Sequence, residues 1–182
     1  DDQALLMQLR GLEQVLCIVN NRRHARALYQ GMADLSGVYH LTTLMCAAHR
    51  SQVLATAREA LKQGQPCRLV STALIEAGVD VSFPCVYRAE AGLDSVAQAA
   101  GRCNREGLWP AQASEVRIFA NANDDWKPPP ELSQFAAVTR EVLRNHQGDP
   151  LDPVAIEHYF KQLYWQKGDG ALDAMNLMGL LK

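Results

Sequence analysis

The residues best suited to chemistry lie in Asp94-Ser-Val-Ala-Gln-Ala-Ala-Gly-Arg-Cys-Asn-Arg-Glu-Gly107. Read as a helix, this segment projects Gln98, Arg102 and Arg105 from one face, because they stand four and three residues apart. Gly101 beside them would let another surface approach closely. Two guanidinium forks and an amide converging on one point suit a polyphosphate, since each fork offers paired donors to phosphate oxygens. A solvated helix face with ion pairs to Glu106 and its neighbours is the alternative. A second segment, Val70-Ser-Thr-Ala-Leu-Ile-Glu-Ala-Gly-Val-Asp-Val81, supplies complementary groups. Ser71 and Thr72 leave a strand and can cap a short helix, where hydroxyls and free amides meet a phosphate. Gly78 then turns the chain and presents Asp80, a carboxylate suited to a ribose hydroxyl. Plain caps and a plain turn residue are the competing reading.

The elements that must position these groups follow from hydrophobic spacing. Leu5, Leu6, Leu9 and Leu12 recur at helical intervals, and the unbroken apolar run Val15 to Val19 predicts a buried strand. Asn20-Asn21 signals a helix start, with Ala25, Leu28, Tyr29 and Met32 as its apolar stripe up to the Gly37 break. Strand-turn-helix units then recur: a strand at 38–41 with a helix over 50–62, a strand at 67–70 with a short helical turn, and a strand at 85–87 with a helix over 95–105. A last strand covers 116–119. Continuous apolar strands alternating with helices imply α/β: an open, mostly parallel sheet with helices on both faces. Ligands bind such sheets at the carboxyl ends of the strands, where Asn20-Asn21, Thr42-Thr43 and Ser71-Thr72 fall. The stretch Asn121 to Glu131, with its three consecutive prolines, predicts a stiff linker. The expected divisions are therefore a domain over 1–120, a Pro-rich linker over 121–131 and a helical segment over 132–182. Tyr159, Phe160, Leu163 and Tyr164 form an aromatic stripe on its second helix, read as packing surface.

Composition bounds what such a chain can be. With 182 residues, 48% hydrophobic and 21% charged, it must bury a core and is neither disordered nor fibrous. A net charge of -2 argues against a broad DNA-coating surface, though not against a narrow cleft with placed arginines. No stretch has the length of a membrane span and no signal peptide opens the chain, so cytoplasmic residence without membrane association is expected. Five widely spread cysteines never reach Cys-x-x-Cys spacing, so neither a disulfide framework nor a metal site is expected, and His40 and His49 read as structural. The absence of an initial Met and the apolar last residues predict a piece of something longer.

Ser71-Thr-Ala-Leu-Ile-Glu-Ala-Gly-Val-Asp80 followed by Gln98-Ala-Ala-Gly-Arg-Cys-Asn-Arg105 resembles motifs V and VI of superfamily 2 helicases, in the form found in the helicase-nucleases of type I CRISPR systems. Cys17 to Tyr29 is similar to that family's motif IV region, and His40 to Arg50 to its next block, in the same order and spacing. Asn21 stands where the family pattern has Thr and can still cap a helix. The resemblance spans about Val15 to Phe119 and implies the second of two RecA-like domains that clamp ATP between them while single-stranded DNA crosses both. It implies Arg105 as an arginine finger, Arg102 on the same phosphates and Gln98 orienting the site or its attacking water. Gly78, Asp80 and Gly101 would shape the ATP site, with Asp80 facing the ribose. Thr72 with Ser71 would hold a DNA phosphate, joined by Thr43, Asn21 and Arg22.

The chain has no Gly-x-x-x-x-Gly-Lys-Ser/Thr loop, no Asp-Glu pair and no His-Asp dipeptide. ATP and Mg2+ would therefore need a phosphate cradle and metal ligands on a preceding RecA-like domain, and this chain alone should not hydrolyse ATP. The further partners implied are a nuclease domain of the same polypeptide and a CRISPR RNA-guided surveillance complex. A regulatory or partner-binding α/β module without motor activity is the competing expectation, with the linker and aromatic helix as its working surface. A dinucleotide-dependent oxidoreductase is disfavoured because no Gly-x-Gly-x-x-Gly opens the first helix.

Overall fold

The computed structural model describes residues 1–76 and 78–172; the last ten residues of the expected 132–182 segment lie outside the described ones. In chain order the elements are α1 (Asp2–Arg10), β1 (Gln14–Ile18), α2 (Arg22–Gln30), β2 (Val38–Leu41), α3 (Ala47–Lys62) and β3 (Cys67–Ser71). After a short 3-10 turn (Ala73–Ile75) come β4 (Cys85–Ala89), α4 (Leu93–Ala100), β5 (Glu115–Phe119), α5 (Pro130–Asn145) and α6 (Pro153–Leu172). The strands form one parallel sheet in the order β2-β3-β1-β4-β5. This is the doubly wound α/β architecture that the alternating pattern predicts.

The run Val15-Leu-Cys-Ile is apolar throughout because β1 lies at the centre with helices on both sides. Leu16 and Ile18 join Leu69 and Val86 on the face covered by Ala57 and Ala60 of α3 and Ala99 of α4. Val15 and Cys17 join Val70, Cys85 and Tyr87 on the face covered by Leu5 and Leu9 of α1, Leu28 of α2 and Met32 in the turn after it. β5 is one of the two edge strands and accordingly carries exposed Glu115 and Arg117, paired at 2.6 Å. α3 starts at Ala47, three residues before the expected start. Cys46 caps it without a side-chain hydrogen bond, so the sequence carries no start signal there.

α5 and α6 pack on α4. Leu93 and Val96 of α4 bury against Val138 and Val142 of α5 and Ala155, Tyr159 and Leu163 of α6. The aromatic stripe thus divides: Tyr159 is buried and donates to Asp94 at 3.1 Å, while Tyr164 and Trp165 are exposed. A Cβ at Gly92 would fall within 2.4 Å of both Asp94 Oδ1 and the Tyr159 hydroxyl, so this close approach depends on glycine. The Pro-rich stretch is tied to the sheet layer as well. Trp126 stacks on His24, with ring centroids 4.9 Å apart and planes 5° from parallel, and its indole N–H donates to Asp2.

That stack makes stability depend on pH. Burial holds the His24 pKa below the usual histidine value, against the pull of Asp2 at 3.2 Å. Burial lowers His40 in the same direction, helped by Arg26 and His49. The unfolded chain takes up protons near pH 6.5 that the folded chain resists, so this stability is complete above about that pH and is lost as pH falls below it. The melting temperature should drop on acidification through this range, and more steeply than in His24→Phe, which cannot take the proton. Equal slopes in the two proteins would contradict the assignment.

Candidate nucleotide and nucleic-acid site

The helix expected over 95–105 stops at Ala100, and this changes the geometry of the arginines. Gly101 is the C-cap, and beyond it the backbone pairs with Phe83: the Phe83 N–H donates to the Arg102 carbonyl at 2.9 Å and the Asn104 N–H to the Phe83 carbonyl at 2.8 Å. Asn104 takes a positive φ of 46° and closes a turn, its side chain donating to the Trp109 carbonyl at 2.7 Å and accepting from the Trp109 N–H at 3.0 Å. Four turn hydrogen bonds and the burial of Phe83 outweigh the propensity of the segment to continue as helix. Gln98, Arg102 and Arg105 therefore do not share one helical face. Gln98 alone projects from α4, exposed, and among the described residues no hydrogen bond joins it to either arginine. A Cβ on Gly101 would meet only ordinary contacts at 3.4 and 3.6 Å, so among the described residues nothing approaches it closely.

The arginines gather instead on the segment after β3. Arg102 donates from Nε to the Ile75 carbonyl at 3.2 Å and from Nη2 to the Glu76 carbonyl at 2.6 Å. Arg105 Nη1 lies 3.2 Å from Asp80 Oδ1, with side chains 47% and 71% exposed, and Arg58 Nε donates to the Asp80 carbonyl at 2.8 Å. Gly78, at φ +69°, supplies the left-handed turn that delivers Asp80 to this cluster. Gly78, Asp80, Arg102 and Arg105 thus lie together, while Gln98 and Gly101 stand on the neighbouring helix end. Burial lowers the Arg102 pKa and the positive charge of Arg105 adds to the effect, a mutual repulsion that an anion between the two would relieve. The exposed Asp80–Arg105 pair gains little in solvent, so Arg105 is free to exchange Asp80 for a stronger anion.

At the carboxyl edge of the sheet, Asn21 caps α2 by accepting the Arg23 N–H at 2.8 Å. Arg22 and Thr43 are exposed, and Thr72, at the start of the 3-10 turn, makes no side-chain cap bond. Ser71 departs from expectation. Its hydroxyl is buried and shares its one hydrogen between the Leu41 and Thr72 carbonyls, 3.0 and 2.9 Å away, so it ties β2 to β3 and is withheld from direct contact with a strand of nucleic acid. Both arginines in the first turn of α2 stand at the end whose dipole disfavours cations, a placement that a phosphate would reverse.

Sequence reasoning missed the most buried charges. Arg88 on β4 and Glu76 beside the 3-10 turn pair beneath the arginine cluster, with Asn20 accepting from Arg88 at 2.6 Å and donating to the Glu90 carbonyl at 2.7 Å. An arginine within an otherwise apolar buried strand was the available signal, since a buried charge must have a partner. All five cysteines are free, and burial pushes the Cys67 thiol up to about 12 and Cys85 to about 11. Among the described residues no group of three or more His, Cys, Asp or Glu converges as a metal site, and no helix is long and apolar enough to cross a membrane.

Sheet order, helices on both faces and the arginine cluster at one edge define a RecA-like α/β domain. The chain belongs to the family described as CRISPR-associated nuclease/helicase Cas3, C-terminal, whose model matches residues 12–108, more than half of its length. The CRISPR-associated nuclease/helicase Cas3 of Haloferax volcanii is 47% identical over 64 residues, 35% of this chain and 7% of that protein. Its counterpart in Methanothermobacter thermautotrophicus is 25% identical over 161 residues, 87% of this chain and 19% of that protein. The chain thus spans a fifth or less of the curated relatives it matches. The crystal structure of T. fusca Cas3-AMPPNP superposes with a TM-score of 0.67 at 21% identity, over 98% of this chain and 23% of that one.

Proposed function

We propose that this chain is the second motor domain of an ATP-dependent single-stranded DNA translocase and helicase-nuclease that degrades target DNA in type I CRISPR antiviral defence. The observation that carries this reading is the Gly78, Asp80, Arg102 and Arg105 cluster, which sets two guanidinium groups and a carboxylate at one exposed edge. That donor set fits a nucleotide polyphosphate and ribose, and lacks the cradle and metal ligands that a preceding RecA-like domain would add. ATP supplies the phosphoryl group transferred to water, and Mg2+ supplies charge neutralisation at its phosphates. Arg105 leaves Asp80 to stabilise the charge that develops on the terminal phosphate, and Arg102 holds the same phosphates. Gln98, on the exposed side of α4, orients the attacking water across the interface. Asp80 accepts from the ribose, and Gly101 gives the opposing domain a side-chain-free approach. Thr72, Thr43, Asn21 and Arg22 track single-stranded DNA along the carboxyl edge of the sheet. The nuclease domain of the same polypeptide receives this strand after the RNA-guided surveillance complex has exposed it.

Trp165, 87% exposed, favours a second reading in which the chain is a partner-binding α/β module without motor activity. Reconstitution separates the two. Joined to a first motor domain that carries the P-loop and Asp-Glu motif, the chain is expected to confer DNA-stimulated ATP turnover that neither part has alone. Failure of every such fusion to turn over ATP, with both parts folded, would leave only the module.

A further inference from the structure

Beneath the arginine cluster lies an ion pair that the nucleotide chemistry above does not use. Glu76 and Arg88 are 6% and 2% exposed, and Arg88 Nε lies 2.7 Å from Glu76 Oε1. The N–H does not point along this contact, so its attraction is that of two touching charges. Arg88 directs another nitrogen to Asn20 Oδ1 at 2.6 Å and the Ala89 carbonyl at 2.9 Å. Burial opposes both charges, raising the Glu76 carboxyl and lowering the Arg88 guanidinium against the pull of each on the other. A buried pair of this kind contributes little net stability compared with apolar residues of the same shape, whereas removing one partner leaves an uncompensated charge.

What the pair does contribute is position. The 3-10 turn before Glu76 has three residues and no side-chain cap, too short to fix its own place. Its end is fastened inward by the Glu76 side chain to β4, a central strand bonded to both β1 and β5. Outward, the carbonyls of Ile75 and Glu76 take Nε and Nη2 of Arg102. One residue, Glu76, is thus held by its side chain to the rigid sheet and holds Arg102 by its backbone. We infer that the Glu76–Arg88 pair is a positioning device that aims the Arg102 guanidinium at the nucleotide phosphates. Both residues are buried and act through Arg102, and the inference rests on the motor reading.

The test is a double-variant cycle in the polypeptide that joins this chain to its P-loop domain. Glu76→Gln keeps the shape and removes the charge; Arg102→Lys keeps the charge and loses the fork that reaches both carbonyls. Each is expected to lower maximal DNA-stimulated ATP turnover about tenfold, with single-stranded DNA affinity unchanged within about twofold. The double variant is expected to be no slower than the slower single one, because both changes break the same link. Arg88→Lys, which keeps a buried positive charge, enters the same cycle and keeps the question answerable if Glu76→Gln lowers the melting temperature too far. Losses that multiply, in either cycle, overturn the inference while leaving the motor reading intact. A normal rate for Arg102→Lys overturns both the inference and the place of Arg102 in the motor.

Discussion

Arg105→Ala, placed in the joined two-domain polypeptide, is expected to slow DNA-stimulated ATP turnover by about a thousandfold or more, the scale set by removing an arginine finger. Arg105 lies on a turn outside the hydrophobic core, and its ion pair with Asp80 is exposed on both sides. Its loss should therefore leave the melting temperature nearly where it was, because exposed pairs of this kind contribute about 1 kcal/mol at most. A large fall in rate without a fall in stability is the signature of a group whose work is done in the transition state. Arg105→Lys should recover little of the rate, since a point charge replaces a fork of paired donors. Near-normal turnover in the alanine variant would remove Arg105 from the finger role and shift it to Arg102.

Phe83→Ala is expected to destabilise the domain by about 3–5 kcal/mol, the usual cost of emptying a fully buried aromatic site. Phe83 is wholly buried in the cluster that also holds Leu16, Ile18, Leu69 and Ala99, and its main chain bonds both Arg102 and Asn104. The cavity thus opens directly under the turn that carries the arginines. In a domain of this size the melting temperature should fall by about 10 °C, and any joined protein still folded at the assay temperature should lose ATP turnover as well. Leu108→Ala, at an exposed apolar residue three positions beyond Arg105, serves as the comparison and should be nearly silent. A cost below about 1 kcal/mol for Phe83→Ala would mean that the site collapses around the gap and that Phe83 does not anchor the turn.

Much of the fold was legible because its signals are local. Val15 to Ile18 and Cys85 to Tyr87 are unbroken apolar runs, and Cys67 to Val70 is broken only by Arg68, the pattern expected of strands covered on both faces. Asn21 announced α2 by its type, and it does cap that helix. Gly78 and Asp80 were legible for the same reason, a glycine that must turn and a carboxylate it delivers. The end of α4 was not, because the partner that stops it, the main chain of Phe83, lies about twenty residues earlier and leaves no mark on local spacing. The geometry shared by Arg102 and Arg105 is consequently that of a turn and not of a helix face. Ser71 misled in a related way. A hydroxyl at a strand end looks available until the neighbouring strand, joined only through α3, supplies the Leu41 carbonyl that occupies it. Glu76 with Arg88, and His24 with Trp126, are likewise long-range pairs whose members are unremarkable one at a time.

The fastening of α5 and α6 carries a mechanical consequence. Trp126 is bolted to His24 and Asp2, Arg140 of α5 holds Glu90 at 2.6 Å, and Tyr159 of α6 reaches Asp94 beside a glycine that leaves it room. These three attachments, at three separated points, remove the freedom to pivot that a proline-rich stretch alone would leave. The two helices therefore behave as an outrigger fixed to the sheet. Any rotation of the sheet is delivered at their far end as a sweep, its arc lengthened by the reach of the helices.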